Sequence, residues 1–392
     1  MENELKKCLM CKNPLCAKCP AKTDVRRVVE LVRAGKVLEA GEVLFDNNPL
    51  SAITGMVCPN HLFCKGGCVK GLDFGVIEKE VSKKFLEVQV GIASSQTPRN
   101  DKRVLIVGSG PAGLSLSYYL AKAGYKVEVW EKEEKLGGML RYGIPGFRLD
   151  KGLIDKVAGV IERCGVEFKV KKSVDLKNLP NGFDKTSLSN KFDIIVLAIG
   201  AGVSRRLDIE GNELAVYALD YLKESQSGGG WIATSPTAPR NDVVVIGAGN
   251  VAIDCVLTAA ELGAKSVNLC YRKDEAAMKA YPEELAHARS KGVVFNYFMV
   301  PKKILVDGVL FENGKFMPAD KVVVAIGQGA VDLDICTKIG CTTNGLIQAE
   351  GFKTNIENVY ALGDAVTGTS TIIQVVAQAR ELADYLTLKS KQ

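Results

Sequence analysis

These 392 residues predict an α/β protein: an N-terminal α-helical domain followed by two Rossmann-like, doubly wound nucleotide-binding domains. Three observations carry that expectation. Seven of the twelve cysteines fall before residue 70, in a region of helical apolar spacing. From Arg103 onward, short apolar runs alternate with helical patterns, as parallel α/β architecture requires. Two of those runs lead straight into glycine-rich turns.

The helical start is legible in "TDVRRVVELVRAGKVLEAGEVLFDNN", with a Thr-Asp cap, apolar residues at helical spacing and a glycine break. "GIASSQTPRNDK" reads as a linker. The strand candidates are "RVLIVG", "KVEVW", "DIIVLAIG", "DVVVIG", "SVNLCY", "KVVVAIG" and "NVYALGD". "SGGGWIATSPTAPRN" is a polar loop before the second glycine turn.

The first nucleotide unit is "RVLIVGSGPAGLSLSYYLAKAGYKVEVWEK". Gly108 permits the tight turn, Gly110 lets a pyrophosphate reach the backbone, and Gly113 allows close helix–strand packing. The helix N-terminus supplies N–H donors to the phosphates. Glu131 ends the next strand, where a carboxylate can hold ribose hydroxyls. The second unit, "DVVVIGAGNVAIDCVLTAAELGAKSVNLCYRK", has Gly247, Gly249 and then Ala252, an allowed variant. Its second strand ends on Arg272 and Lys273 instead of an acid. Cations there pair with a 2′-phosphate that a carboxylate would repel, which favours NADP(H) over NAD(H). Asp274 and Glu275, next in line, leave a solvated strand end as the alternative. One acidic and one basic fold in a single chain suggest FAD in the first and NADPH in the second. "NVYALGDAVTGTSTIIQ" fits: Asp364 is placed for a flavin ribityl chain, and a helix starting near Thr371 for the isoalloxazine ring.

Composition sets the context. The chain is 47% apolar and 24% charged, ordinary for a soluble globular protein. A net charge of +6 without a dense basic block argues against a nucleic-acid surface. No apolar run is long enough for membrane insertion, and "MENELKKC" lacks a signal-peptide core. The expected location is the cytoplasm, where structural disulfides are rare. The cysteines of "CLMCKNPLCAKCP" and "CPNHLFCKGGC" therefore read as metal ligands, for iron–sulfur or for zinc. Cys164, Cys255, Cys270, Cys336 and Cys341 are scattered and read as small buried apolar residues.

"GGMLRYGIPGFRLDK", "GAGNVAID" and "ALGDA" resemble the small subunit of glutamate synthase, the N-terminal half of dihydropyrimidine dehydrogenase, and the large subunit of NADH-dependent ferredoxin:NADP oxidoreductase. The resemblance covers nearly the whole chain. It implies a helical domain with two [4Fe–4S] clusters at residues 1–95, an FAD-binding domain at 96–203 and 328–392, and an NADP-binding domain inserted at 204–327. FAD would meet Gly108, Gly110, Pro111, Ala112, Gly113, Glu131, Lys132, Gly138, Leu140, Gly200, Gly363 and Asp364. NADPH would meet Gly247, Gly249, Asn250, Val251, Arg272, Lys273 and Gly327, with Lys279 a further cation for its 2′-phosphate. The resemblance implies one cluster on Cys19, Cys58, Cys64 and Cys68, and another on Cys8, Cys11 and Cys16 with Glu78 of "FGVIE" as the fourth ligand. The chain departs from the pattern in having two residues, not three, between Cys16 and Cys19.

The expected function is hydride exchange between NADP(H) and FAD, then electron relay through the clusters to or from a partner. No general acid or nucleophile is needed, in keeping with only two histidines, His61 and His287. The partner would be a second subunit carrying the terminal site, with ferredoxin as another candidate, in a hetero-oligomer. Zinc, with His61 completing a site, is the alternative occupant, and a redox sensor or scaffold the alternative role. A disulfide reductase is disfavoured because "GGMLRYGIPGFRLD" has no cysteine; "CTKIGC", Cys336 to Cys341, lies in the wrong place.

Overall fold

The protein is represented by a computed structural model that describes residues 1–89, 101–174, 188, 191–201, 203–226, 241–329, 336–337 and 339–389. Most of the expected linker at 91–102 and of the polar loop at 227–241 lies outside the described residues. Two compact units emerge. One comprises Met1–Arg141, Phe147–Gly202 and Ala330–Gln392; the other comprises Tyr142–Gly146 and Val203–Gly329.

The first unit begins with six helices: α1 (Glu2–Lys7), α2 (Val25–Arg33), α3 (Val37–Asn47), α4 (Ser51–Val57), α5 (Cys64–Gly67) and α6 (Phe74–Gln89). The Asp24 side chain accepts a hydrogen bond from the Arg27 N–H and so caps α2. Gly35, at φ +76°, allows the break before α3. Two glycines set how close these helices come. A Cβ on Gly41 would lie 2.4 Å from Phe85 Cβ, and one on Gly55 would lie 2.6 Å from the Lys79 nitrogen. Their absence lets α3 and α4 press against α6, whose inner face buries Phe74, Ile77, Val81 and Leu86.

The same unit continues into a five-stranded parallel sheet: β1 (Arg103–Val107), β2 (Lys126–Trp130), β3 (Glu167–Lys169), β4 (Ile194–Leu197) and, late in the chain, Val359–Ala361. From the β3 edge the order is β3-β2-β1-β4 and then the late strand, the arrangement of a dinucleotide-binding fold. Helix α7 (Pro111–Lys122) follows β1, and the C-terminal helix Ile372–Lys389 packs along it. Their far side carries the helical region. Arg380 donates to the carbonyls of Ala21, Asp46 and Asn47 at 3.3, 3.1 and 2.8 Å. Tyr119 donates to the same Asn47 carbonyl at 2.7 Å, and Tyr118 donates to the Asp46 carboxylate. Residues 1–89 are thus fastened to the two helices that flank the glycine turn.

The second unit repeats the topology. Its parallel sheet holds Val216–Tyr217, Asp242–Gly247, Ser266–Cys270, Val294–Asn296 and Lys321–Ala325, with Asp242–Gly247 central. A three-stranded antiparallel meander, Pro301–Leu305, Gly308–Phe311 and Phe316–Pro318, stands where a crossover helix would otherwise lie. All seven strand candidates read from the sequence form strands; the meander and the short edge strands were not expected.

The close approach at Gly55 generates a prediction. Gly55→Ala inserts a methyl against backbone and should cost about 1–3 kcal/mol, read as a lower guanidinium midpoint for the metal-free protein. An unchanged midpoint would show that α4 and α6 are not in intimate contact.

Candidate functional site

The flavin-side glycine turn is a fitted cradle. A Cβ on Gly113 would fall 1.9 Å from the Gly108 carbonyl oxygen, so α7 touches the turn it leaves. Gly110, by contrast, faces open space, as backbone approached by a pyrophosphate must. Pro111 and Ala112 open α7, with Pro111 where its missing N–H costs nothing. Gly138 lies across the turn, its would-be Cβ 2.8 Å from Gly110 Cα, and that of Gly363 would meet Ala112 Cβ at 3.2 Å. The structure therefore brings Gly108, Gly110, Gly113, Gly138 and Gly363 to one place. Gly200 follows β4 at φ +70° with open space beside it, and Lys132 is exposed.

Glu131 is buried at the end of β2 and is already a structural acceptor. Its Oε2 takes the Ser109 N–H at 2.9 Å and the Ser109 hydroxyl at 2.6 Å, while Oε1 takes the Glu133 N–H at 2.9 Å. The Ser109 Oγ in turn accepts from the Gly137 N–H at 3.1 Å. Glu131 thus pins the glycine turn and the Gly137–Gly138 loop together, and its remaining lone pairs are what a ribose hydroxyl could use. Leu140 corrects the sequence reading. Its side chain is fully buried, its N–H donates to Gly137 and its carbonyl accepts from Lys151 Nζ, so it packs the loop and presents nothing to a cofactor. Asp364 accepts from the Ser370 N–H at 3.1 Å and the Ser370 hydroxyl at 2.8 Å. Burial pushes its carboxyl above the ordinary range, against the pull of those two bonds. The Gln378 side chain accepts the Gly363 N–H at 2.9 Å. Ser109, Ser370 and Gln378 were missed because their partners lie 28 or fewer residues away with no motif to mark them.

In the second unit, a Cβ on Gly247 would meet the Ala325 carbonyl oxygen at 2.2 Å, whereas Gly249 faces open space. The Asn250 side chain accepts the Tyr281 N–H at 3.0 Å, and the Lys279 and Ala280 N–H groups donate to the Ala248 carbonyl. That docks the segment carrying Lys279 onto the glycine turn. Val251 is half-buried on the following helix, and Gly327, at φ +110°, accepts the Arg205 N–H through its carbonyl. Arg272, Lys273 and Lys279 are exposed and have no ion-pair partner among the described residues. The two nearby acids are engaged elsewhere. Asp274 accepts the Ala277 N–H, and Glu275 pairs with Arg289 at 2.7 Å and with the Tyr297 hydroxyl at 2.8 Å.

The amino-terminal thiols form two sets, and the membership differs from the sequence reading. Cys8, Cys11, Cys16 and Cys68 line one largely apolar cavity of about 30 Å³ with Met10, Pro14 and Leu72. Burial raises the Cys16 thiol first, and then Cys68, Cys8 and Cys11 add to it. The other set is Cys19, Cys58, Cys64 and Glu78. Burial, then Glu78 and Cys19, push Cys64 up to about 12; burial, then Glu78, Cys64 and Cys19, raise Cys58 further. Cys68 and Glu78 have exchanged places relative to expectation. The reason is local geometry: Cys68 leaves α5 toward the Cys16 turn, while Glu78 points inward from α6. Thr54 donates to Glu78 Oε1 at 3.0 Å and Asn48 donates at 3.4 Å. Burial nevertheless raises the Glu78 carboxyl to about 8. Sequence reasoning could not find Thr54 or Asn48, which lie 24 and 30 residues from Glu78.

Seven thiols in two sets, one of them accompanied by a carboxylate, are a donor chemistry that fits iron–sulfur clusters, whose irons take thiolate ligands. His61 sits in a tight turn, where a Cβ on Gly66 would meet its carbonyl oxygen at 1.9 Å. The five outlying cysteines divide. Cys255 and Cys270 are buried apolar residues as expected, and Cys164 is half-buried, but Cys336 and Cys341 are joined in a disulfide, a correction to the sequence reading.

Two dinucleotide folds in one chain, with a helical thiol-bearing region fastened to the first, define an FAD- and NAD(P)H-dependent oxidoreductase. The solved structures of Mycobacterium tuberculosis FprA (19% identity, TM-score 0.58, 74% of this chain and 85% of that one) and Lactococcus lactis thioredoxin reductase (22%, 0.56, 74% and 100%) share the fold. Residues 102–383 match the family described as "Pyridine nucleotide-disulphide oxidoreductase", and the chain belongs to it. Residues 1–90 match "Dihydroprymidine dehydrogenase domain II, 4Fe-4S cluster". The chain is 30% identical to the Glutamate synthase [NADPH] small chain of Escherichia coli K12, over 96% of this chain and 89% of that one. It is also 29% identical to the NAD-dependent dihydropyrimidine dehydrogenase subunit PreT of the same strain, over 97% and 92%. FAD, NADP(H) and [4Fe–4S] clusters are the cofactors of this architecture. No helix among the described residues is long and apolar enough to cross a membrane.

The regrouped thiols make a direct prediction. Cys68→Ser and Cys8→Ser should each remove about half the iron and acid-labile sulfide, and the double variant should lose no more than either alone. Cys68→Ser combined with Cys58→Ser should lose nearly all of it. The opposite pattern would restore the grouping read from the sequence. Because burial raises the Cys16, Cys58 and Cys64 thiols, iron and sulfide must displace protons from them during assembly. Reconstitution should therefore quicken from pH 7 to pH 9, measured as growth of visible absorbance; a flat rate would show that these three thiols are not raised.

Proposed function

We propose that residues 1–95 hold two [4Fe–4S] clusters, one on Cys8, Cys11, Cys16 and Cys68 and one on Cys19, Cys58, Cys64 and Glu78. Residues 96–203 and 328–392 hold FAD, and residues 204–327 hold NADP(H). The chain works as the NADPH-oxidising, electron-relaying subunit of a larger cytoplasmic enzyme, with the terminal substrate site on a second subunit. When bound, the dinucleotides supply two-electron hydride chemistry and the clusters supply one-electron relay. The residues of the chain bind, orient and exclude water.

The geometry supports a role for each. Gly108, Gly110 and Gly113 with Pro111 and Ala112 offer backbone N–H groups to the FAD pyrophosphate, Glu131 holds its ribose, and Asp364 and Gly363 meet the flavin end. Gly247, Gly249, Asn250 and Val251 do the same for NADP(H), beside Gly327. Arg272, Lys273 and Lys279 grip the 2′-phosphate, since Asp274 and Glu275 are spent on a cap and on Arg289.

One observation carries the relay: the region bearing both thiol sets is anchored by Arg380, Tyr118 and Tyr119 to the helices that frame the flavin cradle. That anchoring would hold the cluster ligands of residues 1–89 in a fixed relation to the residues that would hold FAD, as a one-electron relay requires. The relatives named as glutamate synthase small chain and as a dihydropyrimidine dehydrogenase subunit point to a protein subunit as the receiver. A small soluble carrier such as ferredoxin is the other candidate.

Two experiments test this. Anaerobic addition of NADPH should bleach the flavin band within the first turnover; an unresponsive flavin in protein replete with FAD would refute the assignment. Arg272→Ala should raise the KM for NADPH about ten- to a hundredfold, the worth of one charge-assisted phosphate contact, and leave that for NADH within about twofold. Equal weakening of both would remove Arg272 from the 2′-phosphate site.

A further inference from the structure

Cys336 and Cys341 take no part in any of the sites above, yet the structure joins them. The two residues are half-buried against the core beneath the flavin-side sheet, and their neighbours Thr337, Thr342, Thr343 and Asn344 are exposed. The ring spans only five positions of sequence. So short a closure constrains the unfolded chain least, which makes it a weak structural staple. Disulfides that do persist in reducing surroundings are usually the responsive ones.

The cross-link organises the chain next to the flavin turn. Gly340 donates to the Cys336 carbonyl at 3.0 Å, Gln348 to the Gly340 carbonyl at 3.0 Å, and Thr342 to the Leu346 carbonyl at 2.8 Å. Cys341 also bridges to Ile347. The hairpin that results reaches the Gly363–Gly368 turn directly, because the Ile347 N–H donates to the Ala365 carbonyl at 2.8 Å. Ile339, Ile347 and Ala365 share one buried cluster. A continuous run of contacts therefore joins the two sulfurs to the residue following Asp364.

We propose that Cys336 and Cys341 form a reversible dithiol–disulfide site that, when oxidised, stiffens the Gly363–Gly368 turn and so tightens the hold on the flavin. The inference rests on the reading of the Gly363–Gly368 turn as part of the flavin site. The co-reactant is a small or protein dithiol. Its thiolate attacks one of the two sulfurs, the Cys336–Cys341 bond breaks and a mixed disulfide forms. The reductant's second thiol then resolves it. Two electrons and two protons end on Cys336 and Cys341, and the reductant leaves as a disulfide. Without the cross-link the hairpin is free to fray, and the Ile347–Ala365 bond frays with it.

The test uses the full chain loaded with FAD and clusters, handled without oxygen. Samples equilibrated with oxidised glutathione, or with dithiothreitol and then desalted, are quenched in acid, labelled with maleimide and mapped by peptide mass spectrometry. Cys336 and Cys341 should escape labelling in the first sample and both be labelled in the second. Flavin retention, measured by ultrafiltration, should weaken about fivefold on reduction, the worth of roughly one neutral hydrogen bond. Cys336→Ser and Cys341→Ser should each show the weaker value in both samples. Full labelling of both cysteines in the oxidised sample, or retention that reduction does not change, overturns the proposal. Asp364→Ala separates the two readings. If it leaves retention intact while dithiothreitol still weakens it, the Asp364 assignment falls and the switch stands; if it weakens retention while dithiothreitol does nothing, the switch falls alone.

Discussion

The Arg380 guanidinium is the fastening on which the flavin-side unit depends. It projects from the C-terminal helix, crosses the face of Tyr119 at 5.3 Å and reaches three backbone carbonyls at the corner between α3 and α4 and near Ala21. A planar cation with five donors is suited to collecting carbonyls that end a helix, where intrahelical partners run out. The Asn47 side chain extends the knot by donating to the Ala21 carbonyl and accepting from Thr23, whose hydroxyl lies 3.4 Å from the Cys19 sulfur. One short network thus runs from Cys19 to the helices beside the flavin-side glycine turn.

The helical region buries a core of its own, with Val28, Val29, Leu44, Ile77 and Val81 at its centre, and the fastening extends it. Its helices approach through Gly41 and Gly55, and Phe45 packs edge-on against Tyr118 at 5.1 Å, so its apolar surface is completed by α7. The same close packing drives Glu78 into a fully buried position beside thiols, where only Thr54 and Asn48 offset the cost of a carboxylate.

Much of this was legible in the sequence, and the limits are physical. Motif spacing is local, so Gly108, Gly110, Gly113, Gly247 and Gly249 and the strands around them could be read directly. The basic strand end at Arg272 and Lys273 could be read too, though not that Arg289 removes Glu275 from competition. Long-range choices could not. The exchange of Cys68 and Glu78 between thiol sets depends on how α5 and α6 turn, and Leu140 faces the core because Lys151 and Gly137 hold its backbone. The Cys336–Cys341 bond was missed because composition argued about compartment rather than about which two sulfurs meet.

Through the Arg380 knot, residues 1–89 and the flavin-side fold form one cooperative body. Native-state hydrogen exchange on wild type and Arg380→Ala tests it most directly. The variant should lose protection together in α2, α3 and α7, since the same carbonyls hold all three in place. Loss confined to the C-terminal helix, with α2 and α3 as protected as before, would contradict it.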